Sequence, residues 1–235
     1  MAKPDAIELR DGTVVPILYE DRSVLAIDKP AGWMLAPAGW DRTARNLQRA
    51  LMLSIQAGEY WARSRNLKFV RFIHRLDAET SGVLLLGRSL GAVSVLSRLF
   101  EARRVRKKYL AVVRGIPKET KWSCRLKISA EPDETGRMRV DERNGREAAT
   151  EFLVLRQGRD AALIEVVPVT GRTHQIRVHL AAAGHPVMGD GLYGGKGPEL
   201  GLRAVELAYT DPFQNRPVRV AAPAEEFLRR FHFAS

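Results

Sequence analysis

Residues 74–88, HRLDAETSGVLLLGR, combine groups capable of acid–base or nucleophilic chemistry with the signals of a buried strand. Arg75 and Asp77 place a cation and a carboxylate two positions apart. The turn-forming Thr80-Ser81-Gly82 and the apolar run 83–86 follow, which predicts a fully buried strand. A carboxylate just before such a strand lies at the edge of the core, where it is partly desolvated and rigidly held. An isolated Arg-x-Asp sequence more often forms an ordinary surface ion pair.

A second candidate segment joins positive charge to an aromatic side chain. Arginine or lysine occupies five of the six positions from 103 to 108, and Tyr109 follows where a predicted strand begins. Most charge runs are solvated surface turns, but this one leads directly into a strand.

A third segment, TGRTHQIRVHL from 170 to 180, predicts a turn and then a helix that is capped by Thr173 and ends before Gly184. Its histidines suggest a metal site, yet His174 and His179 would lie about 140° apart around a helix and share no face. We therefore expect no metal here, and we expect His179 to be a hydrogen-bonded core residue.

These segments resemble the motifs of the RluA family of pseudouridine synthases. The matching sequences, in the family's order, are Asp28-Lys-Pro-x-Gly, His74-Arg-Leu-Asp with Thr-Ser-Gly, Lys107-x-Tyr-x-Ala, and Gly171-Arg-Thr-His-Gln-Ile-Arg-Val-His with its Gly-His-Pro and Gly-Asp-x-x-Tyr tail. Arg203 stands where the family usually has histidine in Leu-His-Ala, and we expect a structural or RNA-contact role for it. The resemblance covers about residues 14–225, so we expect the separate N-terminal RNA-binding (S4) domain of some members to be absent.

The resemblance implies an RNA pseudouridine synthase that extrudes its target uridine from the base stack. Asp77 would be the catalytic carboxylate, which either attacks ribose C1′ or removes the C2′ proton to give a glycal. Arg177 would pair with Asp77 and keep it ionised, because an adjacent guanidinium favours the charged carboxylate. Tyr109 would lie against the uracil ring, and Arg75 would fill the gap that the base leaves. The other side chains expected to bind substrate RNA are His74, Arg103, Arg104, Arg106, Lys107, Arg172, His174 and Gln175.

Composition agrees with an RNA partner, ribosomal or transfer RNA. The net charge is +11 and the pI is near 10.2, which is typical of a protein that binds a phosphate backbone. No apolar run reaches 18 residues, the N-terminus is no signal peptide, and Cys124 is the single cysteine, so we expect a cytoplasmic protein that binds no membrane. The sequence does not reveal the oligomeric state, and a monomer is the default expectation. The isomerisation gains and loses no atoms, and no cofactor motif is present, so no cofactor is expected. The alternative function is a non-catalytic RNA-binding or ribosome-assembly factor on the same fold.

The predicted fold is α+β, one catalytic domain over residues 14–235 after an arm at 1–13, with a mostly antiparallel sheet, flanking helices and a central active-site cleft. Residues 59–69 could equally be an RNA-contacting or a solvated loop, and residues 129–147 are expected to form a long loop. The expected strands and helices are strands at 14–19, 24–27, 83–86, 109–114, 122–128, 150–155, 161–169, 208–212 and 218–223, and helices at 46–57, 90–101 and 173–183.

Overall fold

The computed structural model describes residues 2–35, 45–195 and 197–233. The chain divides into two compact units. The first comprises Met1–Val105 and Leu207–Ala222, and the second comprises Arg106–Glu206 and Pro223–Ser235. The predicted boundaries of an arm at 1–13 and one catalytic domain at 14–235 stay a prediction.

Antiparallel strands predominate and helices are few, which confirms the α+β class. The strands in chain order are β1 (Ala6–Glu8), β2 (Val14–Glu20), β3 (Val24–Lys29), β4 (Arg71–Phe72), β5 (Ser81–Gly87), β6 (Arg106–Arg114), β7 (Lys121–Cys124), β8 (Thr150–Gln157), β9 (Ala161–Pro168), β10 (Leu202–Thr210) and β11 (Pro217–Ala221). The helices are α1 (Leu47–Gln56), α2 (Tyr60–Arg63), α3 (Leu90–Glu101), α4 (Gln175–Ala182) and α5 (Glu225–Arg230). None of these helices has the length and apolar character that crossing a membrane requires.

The first unit is organised around β5. Strands β1, β2, β3 and β5 lie side by side in that order, and each neighbouring pair is antiparallel. Every residue of β5 is buried, as the apolar run predicts. Val83 and Leu85 pack with Ala92 and Leu96 of α3, and Leu84 faces the opposite side because side chains alternate along a strand.

Helices α1 and α3 match their predicted positions because their ends carry strong local signals. The Asn46 side chain accepts the Arg49 N–H at 3.1 Å at the start of α1, and Ser89 does the same for Ala92 at 3.1 Å at the start of α3. Gly58 follows α1 with a φ of 69°, a left-handed conformation that glycine adopts without strain.

Two stretches near the N-terminus pack more closely than the sequence suggests. Residues 6–8, within the predicted arm, form β1, and Ile7 is fully buried opposite Val15 of β2. The prediction of a loop at 59–69 is wrong for its first part, which forms α2. Trp61 there is buried, and its Nε1 donates to Ser54 Oγ at 2.7 Å. Elements of three or four residues are too short to show a periodic pattern.

The second unit contains strands in the order β6, β9, β8 and β7, all antiparallel to their neighbours. The β8–β9 pair was predicted, but the strand expected at 122–128 ends at Cys124. Residues 129–147 form a long loop, as expected, with isolated bridges from Val140 and Arg146 to Ile128. Residues 128–140 form a hairpin at the start of this loop, in which Ile128 bridges Val140 and the Asp133 carboxylate accepts the Thr135 and Arg137 N–H groups. We call this segment the 128–140 hairpin.

We predict that Leu85→Ala lowers the free energy of unfolding by about 2–5 kcal/mol, because it leaves a cavity in a fully packed strand. Urea unfolding monitored by fluorescence measures this change. Leu90→Ala is the matched control, since Leu90 is 65% exposed and its replacement should change the free energy by less than about 0.5 kcal/mol. If the two variants lost the same free energy of unfolding, burial in β5 would not be what makes Leu85 important for stability.

Candidate active site

Asp77 lies in a short loop between buried positions. Leu76 and Thr80 are both buried, Asp77 is half-buried and Arg75 is exposed. The Thr80 N–H donates to the Asp77 carbonyl at 3.2 Å, which closes a turn immediately before β5. The carboxylate is therefore held at the edge of the first unit's core, as the sequence predicted, and Arg75 is directed to solvent.

Lys29, which we did not single out from the sequence, anchors this loop. It is fully buried at the end of β3, and its Nζ donates to the carbonyls of Pro30 at 3.0 Å, Ala78 at 2.8 Å and Thr80 at 2.9 Å. Burial lowers the pKa of Lys29 to about 8, while the nearby charges of Glu79 and Asp77 favour its protonated form. At neutral pH the ammonium has three hydrogens for three acceptors.

The signal for Lys29 was present in the sequence. Side chains alternate between the two faces of β3, and Lys29 is on the same face as the buried Leu25 and Ile27. It also directly precedes Pro30, which ends the strand. A lysine at an inward position has to find acceptors inside the protein. The Gly32 N–H also donates to the Ala78 carbonyl at 2.8 Å, so the segment 28–32 holds the Asp77 loop at two points.

His74, predicted to bind RNA, supports β5 in the structure. Its Nε2 lies 3.1 Å from the Leu85 N–H, from which it accepts a hydrogen bond, and its ring stacks on Phe100 with a centroid distance of 4.7 Å. An acceptor Nε2 requires the neutral ring with its proton on Nδ1. These contacts give His74 a structural role, and its contact with RNA stays a prediction.

The basic cluster of residues 103–108 separates into exposed and buried cations. Arg103, Arg104 and Arg106 are exposed. Lys107 instead donates through Nζ to the Thr170 carbonyl at 3.1 Å, and burial lowers its pKa to about 8. Lys107 was predicted to bind RNA, a role that stays a prediction; in the structure it supports the turn that precedes α4.

Tyr109 lies in β6 opposite Val166 of β9, and only 8% of it is exposed. It belongs to the second unit, as does Arg177, whereas Asp77 belongs to the first. Its predicted position against a uracil ring stays a prediction.

The predicted N-cap of α4 is wrong. The residue before the helix is His174, which has a left-handed φ of 53° and makes no capping hydrogen bond with its side chain. Gln175 organises the turn instead, since its Oε1 accepts from Thr170 Oγ1 at 2.6 Å and from the Arg172 N–H at 3.0 Å. Its Nε2 donates to the Ala149 carbonyl and to a neighbouring hydroxyl, both at 2.9 Å. The polar atoms of the Gln175 side chain thus form hydrogen bonds within the protein. Contacts of Gln175 and Arg172 with RNA stay predictions.

Arg177 is buried in α4 and forms a two-point ion pair with Asp190. Its Nε and Nη2 each lie 2.7 Å from a different oxygen of that carboxylate. Burial alone would raise the pKa of Asp190, but the hydrogen bonds and charge of Arg177 outweigh it and hold the pKa below its ordinary value. The predicted pair of Arg177 with Asp77 stays a prediction.

The histidines at 174, 179 and 185 have separate partners. His179 is fully buried between Thr150 Oγ1 and the Leu126 carbonyl, each 2.9 Å from a ring nitrogen, which confirms it as a core residue. His174 Nδ1 lies 3.0 Å from the Tyr193 hydroxyl, and His185 Nδ1 lies 3.1 Å from the Arg114 carbonyl. Among the described residues no three His, Cys, Asp or Glu side chains are grouped to hold a metal ion.

Two further expectations concern residues near the C-terminal end. The Gly-Asp-x-x-Tyr tail of the third motif forms a turn in which the Asp190 carboxylate accepts the Leu192 and Tyr193 N–H groups at 3.0 and 3.1 Å; position 196 lies outside the described residues. Arg203 is buried and donates through Nε and Nη2 to the Pro223 carbonyl at 2.9 and 2.7 Å, which gives it a structural role.

Comparison with known proteins shows the family to which the chain, with these motif residues, belongs. The sequence model described as RNA pseudouridylate synthase matches residues 23–182. The chain belongs to this family. It is therefore an RNA pseudouridine synthase of the RluA type, an enzyme whose substrate is RNA.

Its relatives include the ribosomal large subunit pseudouridine synthase D of Xanthomonas campestris, which is 36% identical over 91% of this chain and 67% of the relative. The ribosomal large subunit pseudouridine synthase C of Escherichia coli K12 is 34% identical over 91% of this chain and 68% of its own length. Among solved structures, human RNA pseudouridylate synthase domain containing 1 aligns with a TM-score of 0.69 and 29% identity over 89% of this chain and 83% of that one.

We predict that Lys29→Met removes part of the pH dependence of stability above about pH 8. The pKa of Lys29 is about 8 in the folded protein against its ordinary 10.5, so the unfolded chain binds more protons between these values. The contribution of Lys29 to the free energy of unfolding therefore rises with pH in this window, is complete above 10.5 and is lost as pH falls through about 8.

Urea unfolding at several pH values from about 8 to 9.5 measures the slope. Lys68→Met is the matched control, because Lys68 is exposed and its removal should leave the slope unchanged. A Lys29→Met slope equal to that of the unmodified protein would contradict the assignment.

Proposed function

We propose that this synthase isomerises specific uridines of ribosomal RNA, with transfer RNA as a further substrate class. The observation that carries the proposal is its similarity, at 34–36% identity over 91% of the chain, to proteins named ribosomal large subunit pseudouridine synthases. The net charge of +11 supports a large polyanionic substrate. We also propose that the protein acts as a monomer in the cytoplasm, where such RNA is processed.

In the proposed reaction Asp77 acts on the ribose of an extruded uridine. The bond between C1′ and uracil N1 breaks, the base turns, and a bond between C1′ and C5 forms, while C5 loses a proton and N1 gains one. Asp77 either forms an adduct at C1′ or takes the C2′ proton, and both routes require an ionised carboxylate close to the sugar. The anchoring of its loop by Lys29 supports this role, because catalysis needs a carboxylate in a fixed position.

Arg177 and Tyr109 are proposed to complete the catalytic set. Arg177 would stabilise the ionised form of Asp77, and its rigid two-point attachment to Asp190 supports a role that depends on orientation. Tyr109 would hold the uracil ring while it rotates and help to remove the C5 proton. Arg75, exposed two positions before Asp77, would occupy the space left by the base and contact phosphate.

The proposed RNA contacts outside the catalytic set rest mainly on exposed arginines. Arg103, Arg104 and Arg106 have their side chains in solvent, where they can neutralise phosphates. Arg172 and His174, at the turn before α4, are half-exposed and are proposed to contact the nucleotides next to the target.

We predict that Asp77→Asn abolishes pseudouridine formation, because the amide can neither attack C1′ nor accept a proton. Carbodiimide-dependent primer-extension stops, mapped on total RNA from cells with and without the gene, identify the uridines that lose their modification. The gene for the unmodified protein should restore these sites and the Asp77→Asn gene should not. Normal modification by Asp77→Asn would contradict the mechanism, and no lost site would contradict the proposed substrate.

We predict that neutralising Arg103, Arg104 and Arg106 with glutamine weakens RNA binding and its dependence on salt. Each lost phosphate contact on single-stranded RNA should reduce the slope of log K against log salt by about 0.7, or roughly 2 for the triple variant. Filter binding at several salt concentrations gives the slope. Replacing Arg229 and Arg230 of α5, cations outside the proposed contacts, provides the control, and an unchanged slope in the triple variant would contradict the assignment.

A further inference from the structure

Tyr193, which has no role in the proposed catalytic set, makes several contacts around Arg177. Its hydroxyl accepts the Met138 N–H at 2.8 Å and donates to the Met138 carbonyl at 3.1 Å. His174 Nδ1 lies 3.0 Å from the same oxygen. One side chain thus joins the 128–140 hairpin to the residue that precedes α4.

The Tyr193 ring is placed against the guanidinium of Arg177. The Arg177 Cζ lies 5.3 Å from the ring centroid, and the Arg137 Cζ of the hairpin lies 5.4 Å from it. Such distances are favourable for cation–π attraction. The Tyr193 N–H also donates to Asp190 Oδ1, and the same oxygen accepts from Arg177 Nη2.

Asp190 and Tyr193 therefore surround Arg177 with a carboxylate and an aromatic ring. Asp190 receives Nε and Nη2, which fixes the plane of the guanidinium, and the ring limits its movement. The apolar contacts of Val178 with Ile128 and Met138 hold the adjacent turn of α4 against the hairpin.

Stability alone does not explain this arrangement. A buried ion pair loses the hydration of both charges, and apolar residues of similar volume often serve a folded protein equally well or better. A two-point carboxylate–guanidinium pair does provide a fixed orientation. Orientation matters most for a group that acts in a reaction.

We propose that Asp190 and Tyr193 are positioning residues that fix the guanidinium of Arg177 for the isomerisation and tie it to the 128–140 hairpin. This inference rests on the proposed function, in which Arg177 takes part in catalysis.

The test compares Asp190→Asn and Tyr193→Phe in single-turnover assays, with RNA affinity measured separately. Asp190→Asn keeps the shape of the side chain but removes the charge, and we expect the rate to fall about 100-fold, the size of effect that a misplaced catalytic group produces. Tyr193→Phe keeps the ring and removes the bonds to the hairpin, and we expect about a 10-fold fall, equivalent to one hydrogen bond. RNA affinity should change less than about twofold in both variants, because the loss concerns the reaction and not binding.

A double-variant comparison shows whether these residues act through Arg177. Arg177→Lys keeps the charge but cannot form the two-point pair. Adding Asp190→Asn to Arg177→Lys should lower the rate by less than about threefold compared with Arg177→Lys alone. The reason is that the two-point contact between Asp190 and Arg177 is already lost. A full additional 100-fold loss would overturn the proposal.

Matched controls separate positioning from general damage. Tyr19→Phe removes a hydroxyl that donates to Asp21 at 2.8 Å in the first unit, and Glu226→Gln removes the partner of Arg229 on α5; both should keep the unmodified rate. Thermal unfolding shows whether each variant is folded. If Asp190→Asn is unfolded, Tyr193→Phe alone decides, and a folded Tyr193→Phe with the unmodified rate overturns the proposal.

The failure of this inference is distinguishable from failure of the proposed function. Activity of the unmodified protein and its loss in Asp77→Asn test the function, whatever Asp190 and Tyr193 do. If both hold and the two positioning variants keep the unmodified rate, only the positioning role is overturned.

Discussion

A buried cation must find a fixed acceptor for each of its hydrogens, and this constraint determines how both units hold their motif segments. Lys29 has no exposure, and its three hydrogens go to three backbone carbonyls, two of which belong to the loop that contains Asp77. Arg177 meets part of the same requirement through the carboxylate of Asp190, which accepts from Nε and Nη2. In each case desolvation makes any displaced arrangement unfavourable, so the charge defines a position more strongly than an apolar side chain would.

The same constraint means that some of the protein's cations are bonded within the fold and do not face solvent. The excess of cations predicts an RNA partner, but a count of charges does not show which of them face solvent. Lys107 belongs to the densest basic run in the sequence, yet its amine lies inside and supports the Thr170 carbonyl. Arg65 is also buried, and donates to Glu20 at 2.6 Å. Some of the 38 lysines and arginines are therefore not available to a phosphate backbone.

Sequence reasoning succeeded where a local signal was long or chemically distinct. The apolar run of β5, and the helices that begin after Asn46 and Ser89, were predicted because periodicity and capping residues act over short range. The start of α4 was placed at the wrong residue because Thr173 is a common capping residue, whereas the turn is in fact held by Gln175, through contacts up to 26 positions away. Contacts between residues distant in the sequence leave no local pattern, and for the same reason the ion pair of Arg177 with Asp190 could not be foreseen.

The motif residues fall into two physical groups that the sequence alone does not separate. His74 and Gln175 have their polar atoms bonded within the protein, and they fix the segments on which they lie. Arg75 and Arg103 lie in solvent and are able to meet a ligand. A motif therefore marks the residues on which a site depends, but burial and hydrogen bonding decide which of them act on the substrate and which keep the others in place. Because catalysis requires groups held in fixed positions, a buried motif residue can contribute to the chemistry by holding its neighbours in place without touching the substrate.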